Sequence, residues 1–426
     1  MHLSPYPRSR TYGAPAIYGR IAADALSLGA HRGEEDLQRL EAAFARMQGT
    51  RHALCLPQGR VGIYLALSEM IASGQEVVLS PYTIYDVVNM VLAAGGVPVF
   101  ADVDPTTGNL SPEAVRAALS PRTGAVLATH IHGLSCDIEA ILDICAERGV
   151  PVIEDCAQSL GARIGGRAVG SFGAAAIFSF SRAKNVNTIF GGMLVTSNDA
   201  LFEQARDRLS AFDFEPLGRL VRRTATTVLL DFMTAPLIFQ GVTFPLVRLD
   251  ARKETGMVDR AIAAESSIER RDEIPEHYRR RMSPMQARLA LMQIPSIEPN
   301  RQRRVEHAKL YQDGLSDLEW LRLPPMNDDG RNTYLSYPVQ LDGRDAFMRH
   351  MLASGRDVRA QYYHNLAATR AFAEFHGDCP NTQKIAARTV LLPIYPGYPK
   401  SEIEKTIDAI RAFATAHRHT EIAAPA

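Results

Sequence analysis

From about residue 34 onward, the apolar positions of the chain fall into two alternating spacings. EEDLQRLEAAFARM (34–47) sets apolar side chains three and four apart, as on one helix face, and HALCL (52–56) follows as a short unbroken apolar run. GRVGIYLALSEMIASG predicts a helix, EVVLS a strand, DVVNMVLAAGG a helix and VPVFADV a strand. SPEAVRAAL, GAVLATHI, CDIEAILDICAERG and PVIEDC continue the alternation. Ser111, followed by Pro112 and Glu113, has the residue types of a helix start. Short apolar runs separated by helices predict an α/β unit with a parallel sheet covered on both faces.

The pattern changes after about residue 273. SPMQARLALMQIPSI and NRQRRVEHAKLYQDGL read as helices, TYLSYPVQL as a strand, RDAFMRHMLASG as a helix, and PKSEIEKTIDAIRAFATAHR as a closing helix. The expected organisation is a large domain over 1–204, an apolar and basic insertion over 205–272, and a smaller α+β domain over 273–426. No internal repeat is seen.

The centre of the insertion, Thr224–Val247, is apolar and flanked by Arg219, Arg222, Arg223, Arg248, Arg252 and Lys253. A spanning helix needs ~20 mostly apolar residues. This stretch carries Asp231, Gln240, Pro236 and Pro245, which count against a clean span. Two readings stay open beside that one: a segment packed on the protein or in a subunit interface, and an amphipathic segment lying in a membrane surface.

Composition narrows the function classes. Lys+Arg and Asp+Glu balance at 47 each, so no nucleic-acid partner is expected. Five scattered cysteines (Cys55, Cys136, Cys145, Cys156, Cys379) without a C-x-x-C pair predict neither a disulfide framework nor a zinc site. MHLSPYPRSR lacks an apolar stretch of the signal-peptide kind, so a cytoplasmic location is expected, with peripheral membrane contact if 224–247 binds lipid. His130 and His132 lack a third ligand nearby and fit a pocket-lining loop better than a metal site. Gly165, Gly166 and Gly170 have neither dinucleotide-loop spacing nor a P-loop lysine, and read as a β-turn.

The candidate chemistry sits where predicted strands end. In an open α/β sheet, ligands bind beyond the carboxyl ends of the strands. Asp155 ends PVIEDC there, and twenty-nine residues later Lys184 follows the strand-like IFSF in a polar turn. A carboxylate to face a pyridinium nitrogen, a lysine for an imine, and hydroxyls and backbone N–H groups for a phosphate are what pyridoxal 5'-phosphate (PLP) requires.

VIEDCAQSLGARIGGRAVGSFGAAAIFSFSRAKNV...GGMLVTSND closely resembles the DegT/DnrJ/EryC1/StrS aminotransferases, PLP enzymes of fold type I that mostly aminate nucleotide-linked keto-sugars. The likeness continues through LPQGRVGIYLAL, SPYTIYDVVNMVLAAGGVPVFADVDPTTGNL, HIHGLSCDIEAI, RRRMSPMQARLALMQI and the C-terminal half. It implies that Asp155 contacts the pyridine nitrogen, that Gln158 lies against the ring or its 3-hydroxyl, that Ser179 binds the phosphate, and that Lys184 forms the Schiff base. Gly59 is then placed for close backbone approach to the phosphate at a helix start. The resemblance also implies a glutamate donor and a homodimer whose sites are completed across the interface.

Several positions depart from the family pattern. Arg60 replaces a hydroxyl after Gly59, and Ile84 replaces the aromatic that covers the ring, with Tyr85 expected to face the other side of a strand. Arg279 replaces the asparagine that reaches a neighbouring subunit's cofactor. Ile189–Gly192 stands for the G-E-G-G loop, and YYHNL only loosely matches the histidine-tyrosine signature, leaving His364 as a substrate-site candidate. A mouth made more apolar or basic raises the alternative of a lipid-linked keto acceptor. A further alternative is a non-transaminating PLP-binding or regulatory protein of the same fold. Sugar dehydratases of the family carry histidine where this chain has Lys184, which sets that branch aside.

Overall fold

The computed structural model describes residues 5–10, 15–26, 29, 32–250, 268–327, 329–375 and 377–422. The predicted flank at Arg252 and Lys253 lies outside them. Helices α1 (Pro15–Leu26) and α2 (Glu35–Gln48) precede β1 (His52–Leu56). Strand and helix then alternate through α3 (Gly59–Met70), β2 (Glu76–Leu79), α4 (Tyr85–Ala93), β3 (Val97–Phe100), α5 (Pro112–Ala118), β4 (Thr123–Thr129), α6 (Ile138–Ala146) and β5 (Val152–Asp155). The short hairpin β6 (Arg163–Ile164) and β7 (Arg167–Ala168) leads to β8 (Ala175–Ser179), β9 (Gly192–Thr196) and α7 (Asp199–Ser210). Ser111 caps α5 as its sequence predicts, its hydroxyl accepting the Ala114 N–H at 3.3 Å. Gly165 and Gly166, both at positive φ, make the β6–β7 turn.

Seven strands form one sheet in the order β1-β9-β8-β5-β4-β2-β3. The run β3-β2-β4-β5-β8 is parallel throughout, as unbroken apolar runs predict, while β9 is antiparallel to both β8 and β1. Alternate residues of β4 serve opposite faces: Val126 and Ala128 pack toward α2, α5 and α6, and Ala125 and Leu127 toward α3, α4 and α7. Burial on both sides is why these strands show no polar alternation.

Two glycines bring a helix start onto the sheet. A Cβ on Gly192 would lie 2.6 Å from the Phe178 carbonyl oxygen and 2.7 Å from both N and Cα of Gly59. All three neighbours are backbone, so α3 and the β8–β9 pair would have to part. Gly192→Ala should therefore cost about 1–3 kcal/mol of overpacking strain, read as a lower urea midpoint. An unchanged midpoint would mean that α3 shifts freely.

The C-terminal part builds a three-stranded antiparallel sheet, β12-β14-β13, once β10 (Asp213–Phe214) and β11 (Arg280–Arg281) have paired in parallel near the base of the apolar segment. Its strands are β12 (Tyr337–Gln340), β13 (Arg359–Ala360) and β14 (Thr389–Leu392). Residues 204 and 205 both lie within α7, so the apolar segment rises only after it, as α8 (Leu217–Met233). Past a bend of 68°, α9 (Pro236–Ile238) runs through a π-helical turn at Phe239–Thr243 into α10 (Phe244–Asp250). No single helix among the described residues is long and apolar enough to cross a membrane. One face of α8 is seated on the body through Leu220, Thr227 and Asp231. The Asp231 carboxylate accepts the Tyr18 hydroxyl of α1 and lies 3.7 Å from Arg10.

Candidate active site

Because β2, β4, β5 and β8 are parallel, their carboxyl ends share one edge of the sheet. β3 adds outside β2 and the later strands add on the other side, so the winding reverses between β2 and β4, where open sheets form a ligand crevice. Thr129, the last residue of β4, stands in register with Asp155, and Asp155 with Ile177. Asp155 and Gln158 from the end of β5, and Ser179, Ser181 and Lys184 from the end of β8, thus leave the sheet side by side.

Asp155 is buried. Its Oδ1 accepts the Ala157 N–H at 3.0 Å, which fixes the carboxylate beyond the strand end. Burial raises its pKa, and the Ala157 bond and the Lys184 amine pull in the opposite direction. Lys184 is half-buried. Its turn is held by the Lys184 N–H on the Ser181 carbonyl (3.0 Å), by Asn185 Nδ2 on the Leu160 carbonyl (2.7 Å) and by Asn187 Nδ2 on the Arg182 carbonyl (3.1 Å). Desolvation pushes the Lys184 pKa down to about 8; Asp155 opposes that shift, while Arg359 and Arg60 reinforce it. A lysine held part-way to neutral beside a buried carboxylate can serve as nucleophile and as proton carrier.

A phosphate cradle adjoins this pair. α3 begins at Gly59 with no side-chain cap on its first turn, so the orphan N–H groups of a helix start face the site. A Cβ on Gly59 would come within 3.2 Å of Ser179 Cβ, so this glycine lets backbone and hydroxyl share the space. The Ser179 and Ser181 hydroxyls lie 3.4 Å apart. Uncapped amides, two hydroxyls, a buried carboxylate and a poised lysine form a set that PLP fits.

The remaining sequence candidates find varied settings. Gln158 is locked, its Oε1 accepting the His132 N–H at 2.9 Å and its Nε2 donating to the Tyr363 hydroxyl at 2.9 Å. Arg60 pairs with the buried Asp86 and donates to the Tyr278 hydroxyl at 3.1 Å, while staying within electrostatic reach of Lys184. Ile84 is the extended residue just before α4, with φ −77° and ψ 141°. Tyr85 is thus the first helical residue and packs in the core. The strand expected at Tyr85 is corrected: the chain turns into a helix directly after Ile84. Arg279 is exposed. The Ile189–Gly192 loop is covered within this chain, Ile189 and Phe190 packing with Ile17, Ile21, Leu220, Met285 and Leu289.

Three residues reach the site that sequence reasoning missed. His364 is exposed, whereas its neighbours Gln361 and Tyr363 turn inward. Tyr363 stacks near His132, with ring centroids 6.3 Å apart at 19°, and the Gln361 amide approaches His132 Nε2 at 3.4 Å. Arg359 acts on both His132 and Lys184, and burial together with these two cations drives the His132 pKa down to about 3. His132 is therefore a neutral imidazole, held at φ 59° so that its N–H meets Gln158. The only signal for Gln361 and Tyr363 was the QYYHNL run itself, which carries no spacing that points inward, and Arg359, two residues before it, had none.

His130 and His132 part company. His130 Nε2 lies 3.2 Å from the Glu154 carboxylate, and its Nδ1 accepts the Cys136 N–H at 3.0 Å. Cys156 completes a buried trio of ligand-type atoms with His130 and Glu154. The Glu154 oxygens already accept N–H groups of Gly170, Phe172 and Gly173 at 2.7–2.9 Å. The trio thus braces the loop between β7 and β8, directly behind Asp155.

Comparison with known proteins agrees with this fold. The model of the DegT/DnrJ/EryC1/StrS aminotransferase family matches residues 22–227 and 255–411. The spore coat polysaccharide biosynthesis protein SpsC of Bacillus subtilis (strain 168) is 28% identical over 391 residues, covering 88% of each chain. The crystal structure of the aminotransferase TlmJ from Streptoalloteichus hindustanus superimposes with a TM-score of 0.75 at 26% identity, over 97% of this chain and 99% of that one. DesV of S. venezuelae, solved in complex with a ketimine intermediate, gives a TM-score of 0.73 at 26% identity over 94% of each chain.

Proposed function

The chain belongs to the DegT/DnrJ/EryC1/StrS aminotransferase family, and from that premise we propose that it transfers an amino group from glutamate to a nucleotide-linked keto-sugar, with PLP held on Lys184. The fold is that of PLP-dependent transferases of fold type I. The observation that carries the proposal is that Lys184 and the buried Asp155 leave adjacent parallel strands at the crevice edge, close enough for the carboxylate to act on the amine. SpsC, named for polysaccharide biosynthesis, supports a sugar as acceptor.

PLP, when bound, supplies an electron sink conjugated to the carbon that loses its proton. Everything else falls to the chain. Lys184 Nζ would hold the cofactor and, once displaced by the donor's amine, take the α-proton and deliver it to the cofactor carbon on the other side of the donor nitrogen. Asp155 would keep a proton on the ring nitrogen by its charge. Ser179 and the α3 amides at Gly59 and Arg60 would hold the phosphate, with Arg60 adding positive potential while paired to Asp86. Gln158, gripped by His132 and Tyr363, would fix the ring's oxygen edge, and Ile84 would cover one ring face. Arg279, exposed on this chain, would face the partner subunit of a homodimer. The five free, buried cysteines suit a cytoplasmic enzyme.

The test uses two half-reactions. Glutamate added to the PLP-loaded protein should remove its visible absorbance, and a keto-sugar nucleotide should restore it, with ping-pong steady-state kinetics. Failure of glutamate or any other amino acid to change the spectrum would reject amino transfer. Restoration by keto-lipids but not by keto-sugar nucleotides would reject the acceptor.

A further inference from the structure

Among the described residues, eleven large apolar side chains are exposed, and ten of them lie between Leu217 and Leu249; the other is Met292. On α8, Leu217, Val221, Val228 and Phe232 recur at intervals of four, seven and four, which sets them on one stripe of the helix. That stripe lies beside the face, marked by Leu220, Thr227 and Asp231, that seats α8 on the body. Leu237, 83% exposed, stands at the bend between the two arms, and Leu246 and Leu249 continue the exposed apolar surface along α10. A soluble surface rarely gathers so many apolar side chains in one patch without an occupant.

The charges say which occupant. Between Leu217 and Leu249 there are four arginines (219, 222, 223 and 248) and one acid, Asp231. Asp231 is buried and engaged with Tyr18 and Arg10, so the patch presents no carboxylate of its own. A second copy docking through this patch on a two-fold axis would set arginines against arginines. An anionic lipid surface instead offers acyl chains to the stripe and phosphates to the arginines. Arg222 is exposed beside the stripe, Arg223 is half-buried over the Phe190 ring, and Arg219 is paired with Glu215 at 3.1 Å. Although the two arms together are long and apolar enough for a broken span, their shape and charge favour lying in the surface over crossing it. The 17 residues of α8 make about 25 Å of helix, three of its first seven residues are arginines, and the chain then bends by 68°.

We propose that α8–α10 form a monotopic membrane-docking hairpin, which lies in the interface of an anionic bilayer with Leu237 and the α8 stripe among the acyl chains. The proposal stands apart from the reaction, and vesicle binding is measured without substrate or turnover. α8 also packs on Phe190, in the loop that follows the Lys184 turn, so docking would hold the catalytic body at the membrane surface.

The full chain is mixed with vesicles of phosphatidylcholine containing about 30% phosphatidylglycerol and floated on a density gradient. The wild type should float with these vesicles and much less with pure phosphatidylcholine. Val221→Asp/Phe232→Asp/Leu237→Asp should reduce the floated fraction at least ~10-fold while leaving glutamate-driven amino transfer intact. Since a triple variant risks misfolding, Leu237→Trp gives a second readout: the added indole's emission should shift blue on anionic vesicles and be quenched by brominated acyl chains. A wild type that stays with the soluble fraction, a triple variant that floats as well as wild type, or an emission of the Leu237→Trp variant that vesicles leave unchanged would each overturn the proposal. So would light scattering in which the triple variant turns a dimer into a monomer while the wild type ignores vesicles.

Discussion

Replacing Lys184 with alanine should lower amino transfer by at least about 10³-fold, since one change removes both the covalent anchor and the proton carrier. The measurement is the rate at which glutamate discharges the visible absorbance of the cofactor-loaded protein. The variant's fold should not suffer. Lys184 is half-buried, and its amine carries a pKa lowered to about 8, so the folded state disfavours the charged form at neutral pH. Removing an unfavourable cation should leave the cofactor-free melting temperature equal or higher at pH 7, with the difference fading as pH rises and the amine neutralises in both states. A large loss of stability would instead mark Lys184 as structural. A pH test on the unaltered protein follows from the same pKa. Only the uncharged amine attacks a carbonyl. Capture of added PLP by the cofactor-free protein should therefore rise about tenfold per pH unit below about 8 and level off above it. A rise continuing to pH 10 would place an ordinary, solvated lysine there.

How much of this was legible in the sequence depended on how far each residue's partners lie along the chain. Asp155 and Ser179 end, and Lys184 follows, strands whose unbroken apolar runs announce burial, and parallel pairing alone brings such strand ends together. The family resemblance of VIEDCAQ and IFSFSRAK singled out these positions as candidates. His132 was expected in a pocket-lining loop, but its partners Gln361, Tyr363 and Arg359 were not readable in the same way. Their meeting depends on how the C-terminal strands pack over the crevice and on a left-handed backbone at His132, and neither leaves a local pattern. Ile84 shows the same limit at short range. Extended and helical residues there differ by one position, and the helix start at Tyr85 fell inside an apolar run that periodicity reads either way.

The apolar segment divides along the same line. Its composition left open a segment packed on the protein, in a subunit interface or in a membrane surface, and the structure resolves it into two bent helical arms. What the sequence did not carry was the role of α1. Ile17 and Ile21 join Leu220 and Phe190 in one buried cluster, so α1 and α8 jointly cover the loop that stands for the family's G-E-G-G. Asp231, counted in the sequence against a membrane span, is explained by the same contact, because Tyr18 of α1 donates to it. The buried acid therefore clamps the hairpin to the body and leaves the exposed stripe free of negative charge.

Asp155→Asn should separate two effects that a general loss of structure would move together. Asparagine keeps the shape and an acceptor for the Ala157 N–H, now at 3.0 Å, so the strand end should hold its form. What disappears is the charge. Without it nothing at this position keeps a ring nitrogen protonated, and loss of such electrostatic support typically costs about 10²–10³ in rate; amino transfer from glutamate should fall by that factor. Lys184 should respond in the other direction. Asp155 is the group that raises the Lys184 pKa against burial, Arg359 and Arg60, so in the variant that pKa should drop further below its present value of about 8. More of the amine is then uncharged at neutral pH, and the plateau for PLP capture should begin at lower pH than in the wild type. Slower turnover together with an earlier capture plateau is the signature of a carboxylate acting through its charge. If both readouts decline together, Asp155 serves the architecture of the strand end rather than the chemistry beyond it.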